Sequence, residues 1–352
     1  VLHQQRLIAM ARGYALQLRT EIRETMENCG MLHAPHVVLI LVGEDPTAAC
    51  YVEDCEHAAE ATGIRAAVRR MAGMTSASEL RSTILSLNSD RTVHGIILQL
   101  PLPAHCGDHT ELLQLIAPEK DMDGLVEANT IRFLKESQPV SASSPLPLSS
   151  FISPAIVLAC EKVLRSYRVL PARRHAPRPC VMLIGLPKCV EAALELFLEI
   201  AGCDVQTETH HAVPLDRSRP ESWVASADAI VVGARQPAMV SAPWVRSGTV
   251  IIDVGASTSC APPRHDAPRD GLGDQASVHR DVRCVSCHDG LSALIAAIRM
   301  HNACNAALLQ QGCVEIREDT GAAATISTLR SPGAHSCSAV ASESTSHIGV
   351  HG

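Results

Sequence analysis

A buried strand pattern followed directly by a helix pattern, at residues 37–64, restricts the fold of this chain more than any other feature. Val37 to Val42 is a continuous apolar run with the length and β-branched content of a strand that is buried on both faces. Gly43 ends this strand, and a polar turn that closes with Thr47 as a capping residue leads into a helix over 48–61. Because such strands belong to parallel sheets covered by helices, the pattern predicts an α/β protein.

Two side chains on this helix, Tyr51 and Cys55, are candidates for a site. They are four residues apart, so one lies above the other on the same helix face. A phenol next to a thiol at the mouth of a parallel strand is chemically suited to a site. The helix taken alone favours the alternative, in which both residues are half-buried and serve packing.

Strand and helix patterns alternate through the rest of the chain as far as residue 311. Further strands are predicted at 66–71, 94–101, 180–186, 204–209, 229–232 and 249–256. Further helices are predicted at 7–31, 79–88, 110–116, 129–134, 151–167, 187–201, 221–226 and 290–311. This alternation is typical of parallel α/β sheets.

The rhythm of these elements predicts two domains. Residues 1–150 form an N-terminal α/β domain, and residues 151–289 repeat the βαβ pattern of a Rossmann-like domain. Residues 137–150 and 257–273 are rich in Pro with Ser or Arg and Asp, which predicts loops. Residues 312–352 have few large apolar side chains, which predicts a disordered tail.

Composition and charge argue against two classes of partner. The chain has 30 Lys and Arg residues against 37 Asp and Glu residues, and no basic cluster with interleaved aromatics, which disfavours nucleic acid. No apolar run approaches the roughly 20 residues that span a bilayer, so no membrane partner is expected. The first residues lack a signal-peptide pattern, which predicts a cytoplasmic or mitochondrial protein. Residue 1 is Val rather than Met, so an upstream targeting segment stays open.

The 14 cysteines are scattered singly through predicted strands and helices, which is typical of free thiols rather than of a disulfide framework. Cys284, Cys287 and His288 have the spacing of a c-type haem attachment site, and together with Cys304 they could form a zinc site. The lack of an export signal disfavours haem, and the lack of a second cysteine pair at metal spacing disfavours zinc. We therefore expect no bound metal.

Six segments, taken in order, resemble the bifunctional methylenetetrahydrofolate dehydrogenase/methenyltetrahydrofolate cyclohydrolase family. They are LVGEDPTAACYV at 41–52, HGIILQLPLP at 94–103, IAPEKDMDG at 116–124, ADAIVVGARQPAMV at 227–240, PWVRSGTVIIDVG at 243–255 and LGDQA at 272–276. The most specific part is QLPLP followed at the right distance by P-x-K-D-x-D-G. The resemblance covers residues 5–310.

The resemblance implies a fold and a folate site. It implies an N-terminal folate domain of three-layer type, a Rossmann-like NAD(P)-binding domain, and a cleft between them, with the last helix packed back on the first domain. Tyr51, Gln99 and Asp123 would form the folate site, with Cys55 at the position of the family's catalytic Lys. Asp123 can accept hydrogen bonds from the aminopyrimidine of a pterin, Gln99 can position and polarise, and Tyr51 can stack and donate.

The same resemblance implies a dinucleotide cofactor and a substrate. NADP or NAD would bind at Gly185, Lys188, Gly233, Asp253 and Gly255. The substrate would be a tetrahydrofolate derivative, and the protein would be a homodimer.

This chain departs from the family pattern at positions that carry chemistry. Cys55 offers neither the fixed positive charge nor the reach of a lysine. The family's dinucleotide loop G-R-S-x-x-V-G is GLPKCVE at 185–191 here, and its P-V-P-G-G-V-G-P-M-T loop is replaced by residues 284–293. We expect a dehydrogenase whose cyclohydrolase step is weakened by about 10²–10⁴-fold, and a gain of hydrolysis in Cys55→Lys.

Two alternatives stay open. The chain could be a catalytically inactive paralogue that acts as a folate-binding or subunit-partner protein. It could also be a redox-sensing or metal-binding protein that uses its thiols.

Overall fold

The computed structural model describes residues 33–136, 152–170, 177–208, 225–233, 240, 245–255, 283–286 and 290–310, with scattered helical positions between 9 and 28. Its strands are β1 (His36–Val42), β2 (Arg65–Met71), β3 (Gly95–Leu98), β4 (Cys180–Ile184), β5 (Asp204–Glu208), β6 (Ala229–Val232), β7 (Val250–Asp253) and β8 (Arg283–Ser286). Its helices are α1 (Pro46–Thr62), α2 (Ala77–Ser89), α3 (His109–Leu113), α4 (Glu127–Glu136), α5 (Ala155–Ser166), α6 (Lys188–Ile200) and α7 (Leu291–Gln310). Short 3-10 turns lie at Ala104–Cys106 and Pro118–Lys120.

The first sheet has the order β2-β1-β3, and both pairings of β1 are parallel. Alternate residues of β1 enter two different apolar clusters. Leu39 packs with residues of α1 and α7 on one face, and Ile40 packs with residues of α2 and α3 on the other. The sheet is therefore covered on both sides, which confirms the predicted strand at 37–42 and the layered α/β architecture.

The start of α1 differs from the sequence prediction. The helix begins at Pro46 rather than at Ala48, and Asp45 caps it because its Oδ1 accepts a hydrogen bond from the N–H of Ala48 at 3.0 Å. The prediction of a cap at Thr47 was wrong. Proline fits the first helical position, where the N–H is unpaired in any case, and an aspartate before it is a preferred cap.

The second sheet is parallel throughout and has the order β5-β4-β6-β7-β8. The chain runs from β4 outward to β5 and then crosses back to β6, so the direction of winding reverses between β4 and β6. In open α/β sheets ligands bind outside the carboxyl ends of the strands at such a point. Gly185 follows β4 and Gly233 follows β6, so two of the three predicted cofactor-binding glycines lie at this point of the edge.

Helix α7 packs against both parts of the molecule. Leu294 and Ile298 belong to the apolar cluster of the second sheet, whereas Met300 and Ala303 belong to the cluster shared by β1 and α1. The Asn302 amide donates to the carbonyl oxygens of Met122 at 2.9 Å and Ser153 at 2.8 Å. Helix α7 therefore connects the segment before residues 137–151 to the segment after them.

Several other predictions need correction. Residues 284–286, predicted as part of a loop, belong to β8, which pairs with β7. The helix predicted at 151–167 begins at Ala155 because Pro154 cannot continue it backward, and residues 225–226 form a turn rather than the end of a helix. The predicted domain boundary at 150, the insertion at 257–273 and the tail at 312–352 lie outside the described residues.

The cysteines in the described ranges are mostly outside disulfides. The cysteines that form no disulfide are Cys55, Cys106, Cys160, Cys180, Cys189, Cys203 and Cys304. Cys50 departs from the prediction because it is disulfide-bonded. The described residues contain no cluster of three potential metal ligands, and no described helix is long and apolar enough to cross a membrane.

Candidate active site

A cavity of about 180 Å³ lies between the two sheets, beyond the carboxyl ends of β3, β6 and β7. It is lined from the first domain and from α7 by Tyr51, Leu98, Gln99, Leu100, Pro101, Leu113, Asp123, Ile295 and Arg299. The other lining residues come from the segment just before α4, from α5 and from the second sheet with α6, and they are Leu125, Ile156, Pro187, Val190, Gly233, Val254 and Gly255. The cavity therefore brings together Tyr51, Gln99 and Asp123, three of the predicted site residues.

Tyr51 reaches across the cavity from α1. Its hydroxyl donates a hydrogen bond to the carbonyl oxygen of Val254 at 3.3 Å, just after β7. The residue is half-buried and lines the cavity. This position suits stacking against a flat ligand.

Gln99 follows β3 and is 4% exposed. Its Nε2 donates to the carbonyl oxygen of Leu100 at 2.7 Å, which fixes the amide orientation because the reversed amide would place two oxygens together. Its Oε1 is buried and has no hydrogen-bond donor among the described residues. A buried acceptor without a donor is costly, so this oxygen marks a place where a ligand donor would be stabilised.

Asp123 is held by a turn that its neighbours build. The carboxylate of Asp121 accepts hydrogen bonds from the N–H groups of Gly124 at 3.0 Å and Val126 at 2.8 Å, and from the amide of Asn129 at 3.1 Å. Burial raises the pKa of Asp121 to about 6. Gly124 has φ +68°, and an added Cβ would lie 2.5 Å from the backbone of Ser153. The hydrogen bonds to Asp121 and the close approach of Gly124 to Ser153 both restrict which residues this turn can contain.

Lys120, in the P-x-K-D-x-D-G motif that contains Asp123, binds the end of α2 instead of the cavity. The Nζ of Lys120 donates to the carbonyl oxygens of Leu87 at 3.0 Å, Asn88 at 2.7 Å and Asp90 at 2.7 Å, at the end of α2. The last carbonyls of a helix have no N–H four residues further on inside the helix, so a cation can bind them. Lys120 therefore caps α2 and does not reach the cavity.

Arg299, on α7, is a cavity residue that sequence reasoning missed. Its Nε donates to Oδ1 of Asp123 at 2.7 Å, its Nη2 lies 2.6 Å from the same oxygen, and its Nη1 donates to the Cys55 Sγ at 3.4 Å. Burial lowers the pKa of Arg299, but Asp123 and Cys55 together outweigh this effect, so the net shift of the pKa is upward. The guanidinium is therefore a permanent cation.

One signal in the sequence could have drawn attention to this arginine. Helix α7 reads LSALIAAIRMHNACNAALLQ, with Arg299 as its sole Lys, Arg, Asp or Glu residue. A lone charge in a buried apolar helix requires a partner. The partner, Asp123, is 176 residues away, and no local pattern identifies it.

Cys55 is fully buried and lies behind Arg299, outside the cavity lining. Burial raises the pKa of its thiol, against the opposing effect of the Arg299 guanidinium. The side chain is thus a neutral thiol that contacts the cation rather than a wall of the cavity. The predicted site residue is close to the site but does not face it.

Two of the five predicted cofactor positions line the cavity, and the other three lie outside its lining. Gly233 and Gly255 line the cavity, and Gly185 has φ +62° at the end of β4. A Cβ on Gly233 would lie 2.6 Å from Leu186 Cδ2 and 3.0 Å from Leu186 Cα, so glycine at this strand end leaves room for Leu186. Lys188 is exposed at the start of α6, whereas the carboxylate of Asp253 accepts a hydrogen bond from the N–H of Gly255 at 3.0 Å.

Comparison with known proteins gives matches over most of the chain. Residues 9–123 match the tetrahydrofolate dehydrogenase/cyclohydrolase catalytic domain, and residues 154–311 match the NAD(P)-binding domain of the same family. The bifunctional protein FolD of Parasynechococcus marenigrum (strain WH8102) is 37% identical over 238 residues, which cover 68% of this chain and 71% of that protein.

Two solved structures show a similar fold. The 5,10-methylenetetrahydrofolate dehydrogenase of the silkworm, Bombyx mori, has a TM-score of 0.65 at 25% identity, over 87% of this chain and 98% of that one. The N5,N10-methylenetetrahydrofolate dehydrogenase-cyclohydrolase of Trypanosoma brucei, complexed with NADP cofactor and inhibitor, has a TM-score of 0.68 at 22% identity. This second likeness covers 85% of this chain and 95% of that one.

Proposed function

This chain belongs to the tetrahydrofolate dehydrogenase/cyclohydrolase family, and from this premise we propose that it oxidises 5,10-methylenetetrahydrofolate with NADP or NAD. The observation that carries the proposal is the cavity in which Tyr51, Gln99 and Asp123 meet between the two domains. Two acceptors and an aromatic ring suit a flat heterocycle with several N–H donors.

A pterin fits the polar groups that the cavity presents. Its amino and ring N–H groups can donate to the Gln99 Oε1 and to the Asp123 carboxylate, while Tyr51 packs on the ring. The Gln99 Oε1 supports this pose because it is a buried acceptor without a donor among the described residues, and a ligand N–H would supply the missing hydrogen bond. The residues thus orient the methylene carbon rather than react with it.

The residues around the switch point of the second sheet fit a dinucleotide. Gly185 has φ +62° in the turn after β4, the positive end of the helix dipole at the start of α6 favours an anion, and Lys188 adds a cation. When bound, the nicotinamide supplies the acceptor for a hydride from the substrate carbon. Glu191 in the first turn of α6 adds a carboxylate near the same end.

We further propose that hydrolysis of the methenyl product is weak. Hydrolysis needs a group that shuttles a proton near neutral pH. The cation at this cavity is Arg299, whose guanidinium keeps its proton, and the neighbouring Cys55 is a buried neutral thiol. The expected deficit is about 10²–10⁴-fold in the hydrolytic step.

A second candidate function is a folate-binding protein without catalysis. It is favoured by one observation, which is that the Asp123 Oδ1 is already engaged by Arg299 at 2.6 Å. A homodimer and a cytoplasmic or mitochondrial location stay predictions.

The deciding experiment measures reduced nicotinamide formed from 5,10-methylenetetrahydrofolate with each dinucleotide, together with tetrahydrofolate binding by calorimetry. We expect turnover, and a loss of about tenfold or more in tetrahydrofolate affinity in Gln99→Leu. Gln114→Leu is the matched control, because Gln114 contacts Leu125 and Glu127 and does not line the cavity. Folate binding without turnover would favour the second candidate, and no folate binding would overturn both.

A further inference from the structure

Arg299 connects the two helices that close one end of the cavity. From α7 its guanidinium contacts the Asp123 Oδ1 through Nε and Nη2, at 2.7 and 2.6 Å, and the Cys55 Sγ on α1 through Nη1, at 3.4 Å. The arginine and aspartate side chains are 9% and 11% exposed. Three contacts from three nitrogens fix the plane of the guanidinium.

We propose that Arg299 is the fixed cation of the folate cavity and the positioning residue for Asp123, supplied from α7 because position 55 on α1 carries a short neutral side chain. The inference rests on the proposed function, since it assigns the electrostatics of the same cavity. It adds a residue from α7 to the site residues Tyr51, Gln99 and Asp123, which belong to the first domain.

The first support is volume. Cys55 is fully buried, and its sulfur touches the guanidinium directly. A long side chain at position 55 would have to occupy the space that Arg299 fills. The short residue on α1 and the long residue on α7 are therefore complementary, and a change at one position requires a change at the other.

The second support is charge. The carboxylate of Asp123 is largely buried and needs a cation, because an uncompensated buried charge is strongly destabilising. Lys120 is bound to three carbonyl oxygens, and Lys188 is exposed on α6. Among the described residues that line the cavity, Arg299 is the one cation.

The third support is the geometry of the pair. Both short contacts go to Oδ1 of Asp123, so the carboxylate is held by one oxygen while Asp123 still lines the cavity. The second oxygen is thereby oriented for donors on a ligand. A guanidinium can orient and attract, but it cannot exchange a proton near neutral pH. The arrangement preserves folate binding and separates it from proton transfer.

The test compares three variants with the full-length wild type, and tetrahydrofolate is the probe. Arg299→Met removes the cation, and Arg165→Met is the matched control because Arg165 forms a similarly buried ion pair, 2.8 Å from Glu161, away from the cavity. The exchange variant Cys55→Lys/Arg299→Met returns a cation from α1. Binding is measured by calorimetry, Tm by thermal unfolding, and hydrolysis by the disappearance of methenyltetrahydrofolate.

We expect Arg299→Met to weaken tetrahydrofolate binding by about tenfold or more, and Arg165→Met to lower Tm without changing that affinity. The exchange variant should recover affinity to within about threefold of wild type. It should also hydrolyse methenyltetrahydrofolate at least about tenfold faster than wild type, because an ammonium can shuttle a proton. A merely structural role for Arg299 would not let a cation from α1 restore tetrahydrofolate affinity.

Wild-type affinity in a folded Arg299→Met variant would overturn the inference. If that variant does not fold, the exchange variant decides, and failure of the folded exchange variant to bind tetrahydrofolate overturns the inference. A wild-type protein that does not bind tetrahydrofolate would instead overturn the proposed function itself. The two failures are therefore distinguished by the wild-type titration.

Discussion

The hydroxyl of Tyr51 on α1 donates a hydrogen bond to the carbonyl oxygen of Val254 after β7, at 3.3 Å across 203 residues. This bond joins the first domain to the second at the wall of the cavity. The residue that the sequence assigns to the folate site therefore also fixes the approach of the two domains.

Tyr51→Phe tests this link, because it removes the hydroxyl and keeps the ring. We expect a loss of about 0.5–1.5 kcal/mol in the free energy of unfolding, as for one hydrogen bond, measured by urea denaturation. We also expect a larger effect on kcat than on folate affinity, since the ring still stacks. Tyr167→Phe, at the end of α5 and outside the cavity lining, is the control for the chemical change. A larger loss of folate affinity than of kcat would assign the hydroxyl to binding.

Cys55→Lys alone should destabilise the protein, in contrast to the gain of hydrolysis expected from the sequence. The new ammonium would lie beside the guanidinium that contacts the Cys55 sulfur at 3.4 Å, in a fully buried position. Cys55→Met, of similar length and without charge, should cost about 1–3 kcal/mol from overpacking. The lysine should cost several kcal/mol more, on the order expected for an unpaired buried charge. Equal free energies of unfolding for the two variants would contradict the charge argument.

Gly124→Ala should distort the turn that presents Asp123. At φ +68° an alanine costs roughly 1–2 kcal/mol, and its Cβ would also lie 2.5 Å from the Ser153 backbone. Gly63→Ala is a matched control, since Gly63 has φ +76° and no neighbour within 4 Å of an added Cβ. We expect Gly124→Ala to unfold more easily than Gly63→Ala and to lose folate affinity. Equal stabilities would show that the turn adapts to the methyl group.

His94 should make stability dependent on pH. Its Nδ1 accepts a hydrogen bond from the N–H of His36 at 3.1 Å, and burial lowers its pKa below the ordinary value of 6.5. The unfolded chain therefore takes up the proton first, so the stabilisation is present above pH 6.5 and is lost as the pH falls through the folded pKa.

His94→Asn should reduce the fall in the free energy of unfolding between about pH 7 and pH 5, because the amide oxygen can replace Nδ1 as acceptor and does not titrate. Denaturation curves at several pH values measure this slope. An unchanged slope in the variant would mean that His36 or His109, whose pKa values burial also lowers, is responsible.

Much of the fold was accessible from the sequence because it depends on local patterns. The apolar run of β1 expresses a preference set within a few residues. The same is true of Ser76, whose hydroxyl caps α2 by accepting from the N–H of Glu79, and of Gly63, which follows the end of α1 with φ +76°. The start of α1 was predicted wrongly because another capping residue lies two positions earlier. Asp45 and Pro46 began α1 two residues earlier than Thr47 would have done.

The site divides in the same way. The sequence by itself determined most of the strands through local patterns, and its resemblance to the family pointed to Tyr51, Gln99 and Asp123, which line the cavity. The tertiary structure alone decided that Arg299 pairs with Asp123 and that Cys55 lies behind it, 244 residues away in the chain. A buried ion pair depends on which helices pack together, and the packing of α7 against α1 is a long-range contact that no local sequence pattern sets.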